Sequence, residues 1–338
     1  SAIVDIGGPG ADSSSDMDRV VGPVRLGDGR IAIANGGTNE LRIYDASGKH
    51  LVSSGRAGSG PGEYRMPVGI WVGPGDSLLV FDAMVQRLSV VAPDGSFGRS
   101  FRLGGGAGLT MPTNGRFDFA IPSECFADGT VVGVSQTFAL NQQRTGRYRD
   151  SVTMMRYAPD GTVRDTLGRF PGAEMETMTL TIGTQSVAAP QPVPLGRQSV
   201  NAVSADRFYV AQNNSWEIEV RSLDGKLTSL IRVAVKPTPI TAQDVEVNRK
   251  EQLEAMEALP AIKNLPAAIK NQVTARVREA KYPATLPFLG ALHVDPEGNL
   301  WANEVTRPSI KESRYAVLDP SGQLLGRLSL PAKFRLTA

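Results

Sequence analysis

The chain has 338 residues, a formal net charge of +2, 36 glycines and 23 prolines. That length supplies an ample core without staples, the near-neutral charge argues against a nucleic-acid partner, and the Gly and Pro content suits a turn-rich β protein. Cys125 is the single cysteine, so no intrachain disulfide forms, and no apolar run approaches the roughly 20 residues of a membrane-spanning helix.

In chain order, residues 2–6 are a strand-like run. Residues 20–26, 31–34 and 41–44 then form short apolar runs parted by turns at Asp28-Gly29 and Ser47-Gly48. Residues 55–103 repeat the pattern more clearly: apolar runs 68–72, 78–82, 88–92 and 97–103, with Gly75-Asp76 at the first turn and Asp94-Gly95 at the second. Apolar runs bounded by such turns read as an antiparallel meander. The turn pairs recur at Asp128-Gly129 and Asp160-Gly161, at Ala205-Asp206 and Asp224-Gly225, and at Glu297-Gly298 and Ser321-Gly322. Five four-stranded units predict an all-β fold, a six-bladed β-propeller with five blades visible. Residues 2–6 and 333–337 are expected to close the sixth from both termini, which hides its sheet edges.

Residues 1–338 read as one propeller domain. The extra sequence falls at 104–116, 136–152, 171–196 and 236–287. In a meander these stretches emerge at one end of the blades, opposite the aligned turns, which predicts a single working face. Residues 236–287 read as a helical hairpin on that face. Thr241 with Asp244 forms a capping box, Leu253, Met256 and Leu259 follow, and Pro260 stops the helix. Pro266 opens a second helix with a stripe of Ile269, Val273, Val277 and Ala280. The stripe either packs on the propeller itself or docks a partner. Candidate partner contacts are Arg144, Arg147 and Tyr148 in a basic loop, Met175 and Met178 in the long loop 171–196, and Arg276 and Arg278 outside the stripe. The chain starts at Ser1 and reads as a processed or trimmed form.

Gly60-Pro61-Gly62-Glu63-Tyr64, Asp82 with the run 87–91, and Pro93-Asp94-Gly95 resemble the NHL-type repeat. The whole chain looks like the NHL-like six-bladed propellers of bacterial exported proteins. The resemblance implies an extracytoplasmic, periplasmic location. Such relatives include binding scaffolds, lactonase-like hydrolases and an amidating lyase, so it is specific for fold and weak for activity. The lactonase-like relatives hold a divalent cation in the channel with Glu, Asn and Asp oxygens. Carried over, a calcium-like site would use Asp82, Asn213 and Glu304, with His293 as the imidazole in range. The competing reading is that Asp82 ties down its own bend, with Arg87 as its partner. Glu63 is expected to accept N–H groups of its turn, and Cys125 to be a buried, inert thiol.

Catalytic residues are sparse while the added sequence gathers on one face. The reading is a non-enzymatic scaffold without a cofactor, docking a protein partner and neither binding nucleic acid nor spanning a membrane itself. One context is an extrinsic subunit of a bacterial membrane complex such as a photosynthetic one, for which no motif speaks. The alternatives are a metal-dependent lactonase-like hydrolase or lyase and a small-ligand sensor using the channel.

Overall fold

A computed structural model of the chain describes residues 4–7, 16–105, 116–139, 146–182, 185–258, 262, 265–332, 334 and 336. Five antiparallel sheets follow one another, and within each the strands pair in chain order. The first holds β1 (Val20–Arg25), β2 (Ile31–Asn35), β3 (Glu40–Tyr44) and β4 (His50–Ser54). The second holds β5 (Pro67–Val72), β6 (Leu78–Asp82), β7 (Arg87–Val91) and β8 (Phe97–Phe101). The third has five strands: β9 (Arg116–Cys125), β10 (Val131–Ala139), β11 (Gly146–Tyr157), β12 (Val163–Ile182) and β13 (Gln185–Pro192). The fourth holds β14 (Val200–Val203), β15 (Arg207–Ala211), β16 (Glu217–Ser222) and β17 (Leu227–Arg232). The fifth holds β18 (Leu289–Val294), β19 (Leu300–Glu304), β20 (Glu312–Leu318) and β21 (Leu324–Pro331).

Apolar cores lie between successive sheets. Ile43 and Leu41 meet Leu78 and Val80 between the first and second. Leu79, Phe81 and Leu88 meet Val131 and Tyr157 between the second and third. Met154 and Leu167 meet Phe208 and Val210 next, and Ile218 and Val220 meet Leu300 and Leu318 last. Successive residues of β6 alternate between two cores, so the strand is buried throughout and reads as an unbroken apolar run. Each such Leu, Val or Phe contributes about 1.5–3 kcal/mol on burial.

The second turn of each sheet presses on the outer strand of the sheet before it. A Cβ on Gly95 would meet Val52 and Ser54, one on Gly161 would meet Arg102 O, one on Gly225 would meet Thr166 O and Leu167, and one on Gly322 would meet Ile231. Gly48 of the first sheet faces instead Val4, Asp5 O and Ile6. The N-terminal segment therefore occupies the place of an outer strand before the first sheet, although residues 4–7 carry no ladder. Phe334 and Leu336 are likewise outside any strand, and the rest of the two closing runs lies outside the described residues. The described residues thus contain five sheets, with no apolar cluster bridging the fifth to the first.

The expected loop 171–196 is instead mostly strand. β12 runs for 20 residues and turns back through β13, with Met175 opposite Pro192 and Leu180 opposite Val187. Met178, Leu180 and Ile182 alternate with Thr179 and Thr181, a period-two signal that the nearby prolines obscure. Those prolines sit on an edge strand, where a missing N–H breaks no ladder on the open side. Residues 136–152 are largely strand too, as the ends of β10 and β11. The helical hairpin is present as α1 (Ala242–Ala258) and α2 (Ala267–Glu279). Thr241 N and Oγ1 donate to Asp244 Oδ2 at 2.9 and 2.8 Å, and Asp244 N donates to Thr241 Oγ1 at 3.3 Å, which is the expected capping box. Pro266 stands at the N-cap of α2 rather than inside its first turn.

Gly225 has φ of +85°, and a Cβ there would stand 2.6 Å from Thr166 O. Gly75, with φ of +63°, has nothing within 4 Å. Gly225→Ala is expected to destabilise the protein by roughly 3 kcal/mol and Gly75→Ala by about 1 kcal/mol, since only the first adds a clash to the backbone strain. Urea unfolding of the two variants against the parent measures the difference.

Candidate functional site

The bend between β19 and β20, the start of β11 and the connection from β13 to β14 hold the helical insertion to the ring. Arg307 donates to Pro239 O at 3.1 Å and pairs with the Asp244 carboxylate. Arg147 donates to Lys281 O at 3.1 Å, and Arg197 reaches both Thr285 Oγ1 at 3.0 Å and the Glu174 carboxylate at 3.7 Å. The β12–β13 hairpin and α2 therefore stand side by side. Between them is a groove of ≈ 260 Å³, lined by Glu176, Thr177, Gln191 and Pro192 on one wall and by Val273, Arg276 and Val277 on the other.

Of the expected contact residues, Arg276 lines this groove, and Arg147, Tyr148 and Met175 lie on the neighbouring strands. Arg147 and Tyr148 on β11 lie opposite Glu176 and Met175 on β12, and Met175 lies opposite Pro192. Arg276 lines the groove, while Arg278 on the same helix is exposed. Arg144 and the side chain of Met178 lie outside the described residues. The Nε and Nη2 atoms of Arg276 are buried and have no hydrogen-bond acceptor among the described residues. Burial also pulls the Arg276 guanidinium below its ordinary pKa. A buried cationic donor without an acceptor is costly, and a carboxylate is the group that satisfies it best. Arg149, two residues beyond Arg147 on β11, is committed elsewhere. It donates to Gly172 O at 2.7 Å, Gln212 O at 2.7 Å and Asn214 Oδ1 at 3.1 Å, which ties the third sheet to the fourth.

The four candidate metal ligands are not brought together. Asp82 is fully buried and accepts four backbone N–H groups, from Arg65 and Met66 on Oδ2 and from Met84 and Val85 on Oδ1. Arg87 does not pair with it but donates to the carbonyls of Ser59, Gly60 and Glu63 in the glycine-rich loop. Asn213 clasps Leu289 through both its N–H and its carbonyl, joining the fourth sheet to the fifth. Glu304 accepts the Trp216 indole N–H at 3.0 Å and faces Arg327 at 3.3 Å. His293 lies on β18 at the opposite end of the ring, in a central cavity. Among the described residues no group of three or more His, Cys, Asp or Glu side chains is placed to hold a metal ion. Glu63 accepts Gly60 N at 2.8 Å, as its turn requires.

Residues 17–97 match a family model described as a 6-bladed beta-propeller. The chain is also similar to solved structures of low identity. A putative exported protein from Bacteroides fragilis is 13% identical, with 96% of this chain and 74% of that chain covered and a TM-score of 0.47. A gluconolactonase from Xanthomonas campestris is 13% identical, covers 93% and 76%, and has a TM-score of 0.43. Virginiamycin B lyase from Staphylococcus aureus is 11% identical, covers 96% and 73%, and has a TM-score of 0.39. Such distances carry nothing about activity. No curated protein matches the chain. The fold is that of an all-β propeller, and no helix among the described residues is long and apolar enough to cross a membrane.

Asp82→Asn replaces an oxygen that accepts backbone N–H groups with an amide that cannot. It is expected to cost about 2–4 kcal/mol, because buried N–H groups lose their acceptor. Chemical unfolding of the variant measures it.

Proposed function

We propose that this chain is an extracytoplasmic, non-enzymatic propeller that docks a partner protein through the face bearing the β12–β13 hairpin and the helices. The observation that carries the reading is Arg276, which lines a groove between two elements added to the ring and whose Nε and Nη2 have no acceptor among the described residues. An acidic side chain of the partner, seated between Gln191, Pro192 and Val277, pairs with the Arg276 guanidinium. Lys281 adds positive charge on the same lining, while Glu176 and Glu279 also border the groove. The partner is thus an acidic segment of a protein, and a membrane assembly is one place where it would be found.

The test is purification from the source organism with membranes solubilised gently, followed by sizing and identification of whatever co-migrates. A stoichiometric complex is expected, and Arg276→Glu is expected to weaken it by at least about tenfold, the loss of one charge-assisted pair. The variant should unfold at the same denaturant concentration as the parent. A lone monomer in every fraction, or a complex indifferent to Arg276→Glu, would sink the proposal.

A further inference from the structure

The five inner strands surround a cavity of ≈ 630 Å³ near the ends that lead into the first turns. This is the end of the ring away from the helices. Trp71 from the second sheet and Trp301 from the fifth supply aromatic wall, and Val24, Val72, Val203 and Val294 supply aliphatic wall. Four charged or titratable side chains join them: Arg25 on β1, Glu124 on β9, and His293 and Asp295 at β18. Asp295 is already committed, accepting the Trp301 indole N–H at 2.9 Å and Asn299 Nδ2 at 3.0 Å. Cys125 points its thiol at Phe126 O, 3.4 Å away. The Glu124 carboxyl and the His293 imidazole have no hydrogen-bond partner among the described residues.

Most of a ligand site is therefore in place. The cavity falls within the range of small-molecule sites, roughly 300–1,000 Å³, with mainly apolar walls and few polar groups. Two of the chain's 3 tryptophans line it. Glu124 and His293 line it too, each only partly buried, so their polar atoms are open to a ligand. We infer that the cavity binds a neutral, largely apolar small molecule bearing a carbonyl or hydroxyl oxygen, with the apolar body against Trp71 and Trp301 and the oxygen on Glu124 and His293.

The electrostatics agree with a neutral ligand. Burial alone pushes the Glu124 carboxyl up to about 8, so at neutral pH it is an uncharged acid that donates a proton to an oxygen. Burial pulls His293 down, which keeps the imidazole neutral. Burial pushes the Cys125 thiol up to about 12. Burial alone would raise Asp295, but the hydrogen bonds from Trp301 and Asn299 win and hold it below the usual carboxylate range. The lining residues of β5 and β14 carry no titratable group, and Arg25 on β1 adds a guanidinium. Glu124 is then the group on the cavity wall whose charge changes between mildly acidic and mildly alkaline pH. Its folded value lies above the ordinary one, so the neutral form prevails below about 8 and the carboxylate above it. An ionised Glu124 holds water in the cavity and opposes an apolar ligand.

The probe is Prodan, a neutral naphthyl ketone whose emission shifts in an apolar site, titrated against the full chain. Saturable binding is expected at about pH 6.5, at least about tenfold weaker at about pH 9.5, as one carboxyl ionises. Glu124→Gln is neutral at both pH values and is expected to bind with little pH dependence. Val203→Phe narrows the cavity from a different strand and is expected to abolish binding. No saturable binding at the lower pH, equal binding by the parent at both, or an undiminished pH effect in Glu124→Gln would each overturn the inference. Should Glu124→Gln fail to fold, the parent's pH profile and the Val203→Phe variant still decide it.

Discussion

Every sheet in the middle of this protein has two apolar faces, and a sheet with two apolar faces needs a neighbour on each side. In the second sheet, Leu78 and Val80 face one core and Leu79 and Phe81 the other. That demand aligns the sheets radially, brings their inner strands around one axis, and leaves loops at two ends. At its two ends the series is open, and there the chain uses other means. Val4–Ile6 fills the place of an outer strand beside Gly48, while Arg42 donates to Asp16 O on the side of the first sheet away from the second.

Polar groups lock what the cores bring together. Asn213 reaches from the fourth sheet to Leu289 in the fifth, and Arg149 from the third to Gln212 before the fourth sheet's second hairpin strand. Asp82 spends both oxygens on its own sheet's connections. Each is buried or partly buried, and each is satisfied, which is the ordinary condition of polar groups in a folded interior. Against that background the unsatisfied groups stand out. Among the described residues, Arg276 at one end has two buried nitrogens without an acceptor, and Glu124 and His293 line the recess at the other. The ring keeps these two recesses apart, so the proposed protein contact and the proposed small-molecule site share no lining residue.

Local chemistry wrote much of the fold into the chain. The second turns form at the Ser-Gly and Asp-Gly pairs, with Asp45, Asp94, Asp160 and Asp319 each accepting the N–H two residues ahead. The capping box at Thr241 and Asp244 is likewise local, spanning three residues. The hairpin of β12 and β13 was hidden because prolines on an edge strand look, in sequence, the same as prolines in a loop. Its signal was the alternation of Met178, Leu180 and Ile182 with threonines.

The candidate sites were legible in part for the same reason. The basic and methionine-bearing segments of one face could be grouped by topology, since the order of strands in a meander fixes which end each connection leaves from. Asp82 and Arg87 stand opposite one another in the ladder, yet their side chains part company, because the four N–H groups around Asp82 and the three carbonyls around Arg87 come from a loop some twenty residues earlier and from the bend itself. The same holds for Glu124, which sequence gave no reason to single out: its environment is made by strands from all five sheets. Turns, caps and strand alternation depend on residues a few positions apart and are determined by the sequence directly. Which polar group is left without a partner, and in which recess, depends on residues up to the length of the chain apart, and only the packed ring decides it.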